Sequence, residues 1–351
     1  MTRAGLLAAV ASGSSLVACL GTRALIPLLR SAAVLDRPNE RSLHASPVPR
    51  GGGIAVVGAI LLAWLAMIAA GLAAASLLVI LSGAILLAAI SWWDDMHSLQ
   101  PATRLAVQFI AVSPPLAMMI LNGVPLLTQA RLPLWLDASV TALLWLWFIN
   151  LFNFMDGIDG LAGSEMAAIG IGLALFASFG VGHQPILASL AGAVAAASLG
   201  FLVWNWAPAR IFLGDVGSVP LGYLIGFLLL GVAADGHWKI ALILPLYFLA
   251  DATITLIRRL FLGEVVWRPH RRHFYQQAVA RGLGHAVVVR RVIVADILLI
   301  GCGWASENGA GWLAVAAATA VVAVLLFSLA GLRRPGGHPI PATTPRREEP
   351  R

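Results

Sequence analysis

Long apolar runs alternate along this chain with short polar turns. A membrane-spanning helix needs roughly 20 mostly apolar residues, and about eleven runs meet that need. They lie near 5–29, 53–73, 75–93, 103–121, 136–153, 161–180, 185–206, 219–233, 240–260, 289–305 and 311–332. The pattern predicts an all-α polytopic integral membrane protein, with one transmembrane domain over 1–332. The segment 333–351, rich in Pro, Gly and Arg, reads as a disordered cytoplasmic tail. No internal repeat stands out, which argues against a transporter built from two related halves.

Composition agrees with this reading. A chain of 351 residues could form two soluble domains, but 60% hydrophobic residues against 11% charged ones exclude that. Basic residues mark cytoplasmic loops. With the N-terminus outside, all of the 23 lysines and arginines fall on cytoplasmic turns or the tail except Arg3, Arg23, Arg131 and Lys239. The pairs Trp92/Trp93, Trp145/Trp147 and Trp204/Trp206 then sit near the inner interface, where an aromatic belt belongs. The net charge of +7 becomes a cytoplasmic surface suited to anionic head groups and phosphorylated ligands, with no nucleic-acid signature. Cys19 and Cys302 lie in different runs and suggest neither a disulfide nor a metal cluster. Leu16 to Cys19 resembles a lipoprotein cleavage box, but the apolar run continues past it and reads as a retained first helix.

The richest polar signal is the stretch from Asn150 to Leu161, where Asn150, Asn153, Asp156 and Asp159 recur every third position between two apolar runs. Gly157 and Gly160 let the backbone leave the helix as the carboxylates arrive. We read a helix end opening into a loop that presents two amides and two carboxylates. Such oxygen ligands suit Mg²⁺, with Mn²⁺ as the alternative; a capped turn between two helices is the competing reading.

Other chemistry reaches the same predicted face. Asp94 and Asp95 close the third run, where adjacent acids oppose the helix dipole and call for a metal, a lipid phosphate or an arginine, unless they are merely solvated. Gly51 to Gly53 offer backbone N–H groups at the start of the second run, a natural place for an anion, unless the segment is only a positively charged loop at the membrane surface. Asp215 stands alone between Gly214 and Gly217, either in a ligand-approaching turn or as an ordinary turn residue. Asp251 lies inside an apolar run and reads best as a structural hydrogen-bond partner of a neighbouring helix. The block His270-Arg271-Arg272-His273 offers guanidinium forks for phosphate and imidazoles for hydrogen bonds or protons, or a general lipid-binding loop.

Together, Asp94-Asp95, the Asn150 to Leu161 stretch, Phe212 to Ser218 and the His270 to His273 block resemble the polyprenyl-phosphate N-acetylhexosamine-1-phosphate transferases. These are relatives of the lipid I synthase and of the O-antigen and teichoic-acid initiators. The resemblance implies a cytoplasmic cleft in which Mg²⁺ holds the pyrophosphate of a UDP-linked N-acetylated sugar. A polyprenyl phosphate attacks the sugar-linked phosphorus and UMP leaves. It further implies that Asp215 and Asn153 are metal ligands and that Asp159 and Phe212 hold the uracil. Asp94 would accept or orient the lipid phosphate's proton, supported by Asp95 and Asp156, while Arg104, His270, Arg271, Arg272 and His273 grip phosphates. A bacterial-type inner membrane is the implied setting, O-antigen-like glycan initiation the implied pathway, and a homodimer is admitted. This sequence departs from the family in its two-histidine block and in having Lys239 as its only lysine, so Arg104 stands where relatives use lysine. A proton-coupled transporter and an intramembrane aspartyl protease, pairing Asp156 or Asp159 with Asp215, are the rival functions. The clustering of acids at one face favours metal and phosphate chemistry over both.

Overall fold

A computed structural model describes residues 3–36, 46–180, 184–265 and 270–331. Expectations placed on the loop holding Arg37 and Arg41, on 267–269 before the histidine block and on the 333–351 tail lie outside these residues. The described chain is almost wholly helical. Its helices are α1 (Arg3–Ser31), α2 (Gly53–Ala69), α3 (Leu77–His97), α4 (Pro101–Leu121), α5 (Leu134–Phe154), α6 (Leu161–Phe179) and α7 (Pro185–Asn205). They continue with α8 (Asp215–Val232), α9 (Trp238–Ile243), α10 (Leu246–Phe261), α11 (Phe274–Ala280), α12 (His285–Ala305) and α13 (Gly311–Ala330). Two short antiparallel strands, β1 (Leu35–Asp36) and β2 (Val48–Pro49), pair with Leu35 opposite Pro49.

Among the described residues, 8 helical segments are long and apolar enough to cross a membrane. The chain is therefore an all-α polytopic membrane protein, though the expected count of eleven does not carry over unchanged. The segment Asp215–Ile243 turns at Gly236, whose φ of 97° only glycine adopts without cost, and this separates α8 from α9. Likewise His285–Ala330 breaks at Gly309, so that α12 and α13 pack side by side. Helix α2 has only 17 residues, and the run expected at 240–260 is interrupted before α10 at Leu244-Pro245.

The bundle is organised around α8, which packs against α2, α3, α5, α6, α7 and α9. Small residues make this possible, since helices in lipid gain from close backbone approach rather than from hydrophobic exclusion. A Cβ added to Gly53 would lie 2.1 Å from the Cα of Gly217, so the first turns of α2 and α8 meet backbone to backbone. Further along, Gly222 admits the Ile149 backbone of α5. The Trp145 indole stacks on Tyr223 with centroids 4.9 Å apart and donates to the Tyr223 carbonyl at 3.0 Å, which fixes the rotation of α5 against α8. That rotation aims Asn153 at the start of α8.

Candidate active site

Four stretches distant in sequence converge at the N-terminal end of α8. The segment after β2 runs beside 212–213: Phe212 N–H donates to the Pro49 carbonyl at 2.8 Å, and Gly52 N–H to the Phe212 carbonyl at 2.9 Å. Gly51 also donates to Phe212, and Gly53 to Leu213. These glycine N–H groups are thus spent on the protein's own backbone, which overturns their reading as an anion site. Their absent side chains serve close packing instead: a Cβ on Gly52 would lie 2.6 Å from the Phe201 ring.

This pairing delivers Arg50 to the acids. Its Nη2 lies 3.3 Å from Asp95 Oδ1 and donates to the Asp95 carbonyl at 2.9 Å. The guanidinium also attracts Asp215, the first residue of α8. Asn153, in the last turn of α5, donates to Ser218 Oγ at 3.0 Å and hydrogen-bonds to Asp215. Asp156 follows α5 on the loop, where burial pushes its carboxyl well above the usual range; the charges of Asp215 and Asp95 push the same way, and the Gly214 amide opposes them. Asp95, Asp156 and Asp215 therefore feel one another directly, with Arg50 the adjoining cation.

The two adjacent acids differ in freedom. Both oxygens of Asp94 are committed, Oδ1 to the Leu99 N–H at 2.5 Å and Oδ2 to Arg104 Nη1 at 3.1 Å. These contacts close the end of α3 and turn the chain into α4. Asp95 Oδ2, in contrast, is buried with no partner of good hydrogen-bond geometry, although the Val216 N–H acts on the carboxyl and a Cβ on Gly214 would be only 3.4 Å away. Asp94 and Arg104 thus brace the α3–α4 turn while both also act electrostatically on Asp215, and Asp95 keeps one buried oxygen uncommitted beside them. Asn150 is not presented either. It exchanges hydrogen bonds with Gln108, at 2.6 Å and 3.3 Å, and joins α4 to α5. In the described stretch one amide, Asn153, reaches the acids rather than two.

Asp159 is fixed by two partners, the Ala209 N–H on Oδ2 at 3.0 Å and His285 Nδ1, 3.2 Å from Oδ1. It pins the 206–214 loop and the start of α12 to the loop after α5. Phe212, half-buried, lies on that same loop, so the two residues expected at the uracil are carried by one connected segment.

Within the His270 to His273 block the roles separate. His273 is buried; its Nδ1 lies 3.1 Å from Asp251 Oδ1, and Asp251 also accepts the Phe274 N–H at 3.0 Å and Thr255 Oγ1 at 3.3 Å. A carboxylate facing the first N–H groups of α11 complements the positive end of that helix. Asp251 thus makes structural hydrogen bonds, but its main partner is the short loop helix α11 and not another membrane span. Arg272 Nη1 lies 2.5 Å from Glu264, which also holds Arg259, so Arg272 and His273, both expected at phosphate, are engaged here by the protein's own carboxylates. Arg271 and His270 are half-buried in this block. Burial lowers the His270 pKa to about 4, helped by the charges of His273 and Arg259 against Glu264, which keeps the ring neutral near pH 7. Tyr275 links the block to the centre, since its hydroxyl donates to the Phe154 carbonyl at 2.9 Å and fills the space beside Gly157.

Sequence reasoning passed over Arg50, Tyr275 and His285 as site-shaping residues. Arg50 carried a signal, a cation directly before three glycines; His285 stood only as one more polar residue after Gly284. Glu165 and Asp296 face one another in the interior between α6 and α12, a pairing invisible at 131 positions of separation; both are buried.

Among the described residues no three His, Cys, Asp or Glu side chains form a ready metal cage. Mg²⁺ takes one or two carboxylates and completes its shell with water and substrate phosphate. The buried, unbonded Asp95 Oδ2 and the crowded acids around Asp215 are a donor set that fits such an ion.

Comparison with known proteins is consistent with this arrangement. The profile of glycosyl transferase family 4 matches residues 77–233. A phospho-N-acetylmuramoyl-pentapeptide-transferase of Mycobacterium avium is 30% identical over 315 residues, covering 76% of this chain and 85% of that protein. The chain belongs to glycosyl transferase family 4. Similar relatives in that group include a probable undecaprenyl-phosphate N-acetylglucosaminyl 1-phosphate transferase of Bacillus subtilis, 29% identical over 82% of this chain and 80% of the relative. A decaprenyl-phosphate N-acetylglucosaminephosphotransferase of Mycobacterium tuberculosis is 28% identical over 84% and 80%. As a family 4 member the chain is a multi-span membrane transferase. The profile takes in Asp94, Asp95, Asn153, Asp156, Asp159, Phe212 and Asp215, while Arg50 and the His270 to His273 block lie outside it.

Proposed function

We propose that the chain transfers an N-acetylated sugar-1-phosphate from a UDP-sugar to a polyprenyl phosphate, with Mg²⁺ as cofactor. A lipid phosphate oxygen bonds to the sugar-linked phosphorus, the bond to the UMP phosphate oxygen breaks, and polyprenyl-diphosphate sugar remains in the membrane. The carrying observation is the convergence of Asp95, Asn153, Asp156, Asp215 and Arg50 from four separate stretches at one end of the bundle. Phosphoryl transfer needs alignment and charge neutralisation more than covalent help, and this site is built of both signs of charge.

Asp215 and Asn153 would hold the metal, with Asp95 and Asp156 beside them. Held there, Mg²⁺ would supply charge neutralisation for the pyrophosphate and the departing UMP. Arg50 orients Asp95 and places a cation beside it. A lipid phosphate is largely ionised near pH 7, so its alignment matters more than removal of a proton. Asp159 and Phe212 line the segment suited to the uracil, and Arg271 with His270 offer donors for phosphate. The acid-bearing helix ends coincide with the basic loops at Arg30, Arg50, Arg104 and Arg210, which supports a cytoplasmic site and an external N-terminus. The product would begin a cell-envelope glycan.

The test is UMP release by the purified protein with undecaprenyl phosphate and a panel of UDP-N-acetylhexosamines, beginning with N-acetylglucosamine, with and without Mg²⁺. Release that needs both lipid and metal, and that Asp215→Asn abolishes, is the expected result. Release without metal, or an active Asp215→Asn, defeats the assignment.

A further inference from the structure

Away from the acids, α12 and α13 leave an open groove between them with a volume of about 640 Å³. Its walls are apolar, built on one side by Val294 and Leu298 and on the other by Val321 and Val324. The spacing explains the shape. Residues 287, 291, 294 and 298 fall on one stripe of α12, and 321, 324 and 328 on the facing stripe of α13. From Arg290 to Leu298 the groove follows roughly 12 Å of helix axis, at 1.5 Å per residue.

One end of the groove is different. Arg290 and Arg291 line it there, and both are exposed. Arg291 Nη1 donates to the Ser328 carbonyl at 3.2 Å, and among the described residues neither arginine is in an ion pair. Arg281 contacts the Leu329 carbonyl at the same helix end. This charged end lies on the active-site side of the bundle, because α12 begins at His285, the partner of Asp159.

We infer that the α12–α13 groove binds an acidic glycerophospholipid of the surrounding bilayer, its phosphodiester on Arg290 and Arg291 and an acyl chain along Val294, Leu298, Val321 and Val324. Charge complementarity selects this occupant. An apolar helix face alone would accept any lipid, but two exposed guanidinium groups at one end of the groove, in no ion pair among the described residues, attract a net anion and pair with phosphate oxygens through their planar forks. Long arginine stems reach the interface from within the span while the groove stays apolar beneath them. The site is separate from the acid cluster, and its occupation does not depend on the reaction proposed above.

The experiment is native mass spectrometry of the full chain in detergent, titrated with phosphatidylglycerol or phosphatidylcholine. The wild type should retain phosphatidylglycerol about tenfold or more in preference, as expected of two surface guanidinium groups. Arg290→Gln with Arg291→Gln should erase the preference, the two lysine replacements should keep most of it, and Val324→Trp should lower retention of both lipids. Thermal unfolding verifies that each variant is folded. Equal retention of the two lipids by the wild type, or a preference untouched by the double glutamine variant, overturns the inference. So does displacement of the bound lipid by undecaprenyl phosphate, which would make the groove a substrate path. Disulfide-linked dimers from Val324→Cys in membranes, in a Cys19→Ser, Cys302→Ser background, would give the groove to a second copy and overturn it equally.

Discussion

Replacing Asp251 by alanine isolates the device that docks the histidine block. The carboxylate is completely buried and accepts from His273 Nδ1 at 3.1 Å and from the Phe274 N–H at 3.0 Å, with longer contacts at 3.3 Å to Thr255 and 3.4 Å to the Tyr275 N–H. Hydrogen bonds to a charged group contribute roughly 1.5–3 kcal/mol each, and an orphaned buried donor costs about as much. Counting only the two shortest bonds, Asp251→Ala should weaken the docking of α11 by about 3–6 kcal/mol, an upper range because neighbouring bonds are not additive. Hydrogen exchange over Phe274–Ala280 reads this directly. Each 1.4 kcal/mol is tenfold, so protection should fall by about 10²-fold or more, while amides in the interior of α8 stay protected. The Tyr275 tether to Phe154 should loosen with it, and lipid-dependent UMP release should drop. Asp251→Asn, which keeps one acceptor oxygen for the Phe274 N–H, should lose distinctly less. Unchanged exchange over α11 in the alanine variant would refute the docking role.

Four further outcomes follow from the geometry. Asp95→Asn should lower kcat/KM by roughly 10²–10³, whereas Asp94→Asn, whose oxygens already serve Leu99 and Arg104, should cost less activity and more thermal stability; equal kinetic losses would contradict the division of roles. Arg50→Met should raise the Mg²⁺ concentration needed for half-maximal activity, because the carboxylates lose the cation that holds Asp95 in place; an unchanged metal titration would count against it. Gly217→Ala should destabilise by about 1–3 kcal/mol or more through overpacking, read as a lower unfolding temperature in detergent, since its Cβ would meet Gly53 Cα at 2.6 Å. For His270 the folded pKa of about 4 lies below the ordinary 6.5, so between those values the unfolded chain binds more protons and stability falls as the pH drops through that window. Melting curves from pH 7 to 4.5 should therefore slope less in His270→Asn than in the wild type.

Much of this protein was legible along the chain because lipid imposes a simple rule. Backbone polar groups inside a bilayer must be satisfied within the segment, so long apolar runs become helices, and α1 to α8 appear close to where hydropathy places them. For the same reason an acid or amide at a run boundary is conspicuous, and Asp95, Asn153, Asp156 and Asp215 announced themselves by residue type alone. What sequence could not settle was which atom of each motif is free, because hydrogen-bond partners come from other elements. Asp94 and Asp95 are indistinguishable as letters; only the turn at Leu99 and the approach of Arg50 along Phe212 commit both oxygens of the first and leave one oxygen of the second uncommitted. Asn150 and Asn153 share a periodicity, yet the rotation of α5, set by Trp145 on Tyr223, gives the first to Gln108 and the second to Asp215. The glycines at 51–53 spelled backbone exposure, and packing turned them into a seam between α2 and α8. Local sequence determines which segments enter the membrane and which residues carry charge there, whereas helix rotation and backbone contact, properties of the assembled bundle, decide which of those charges meet.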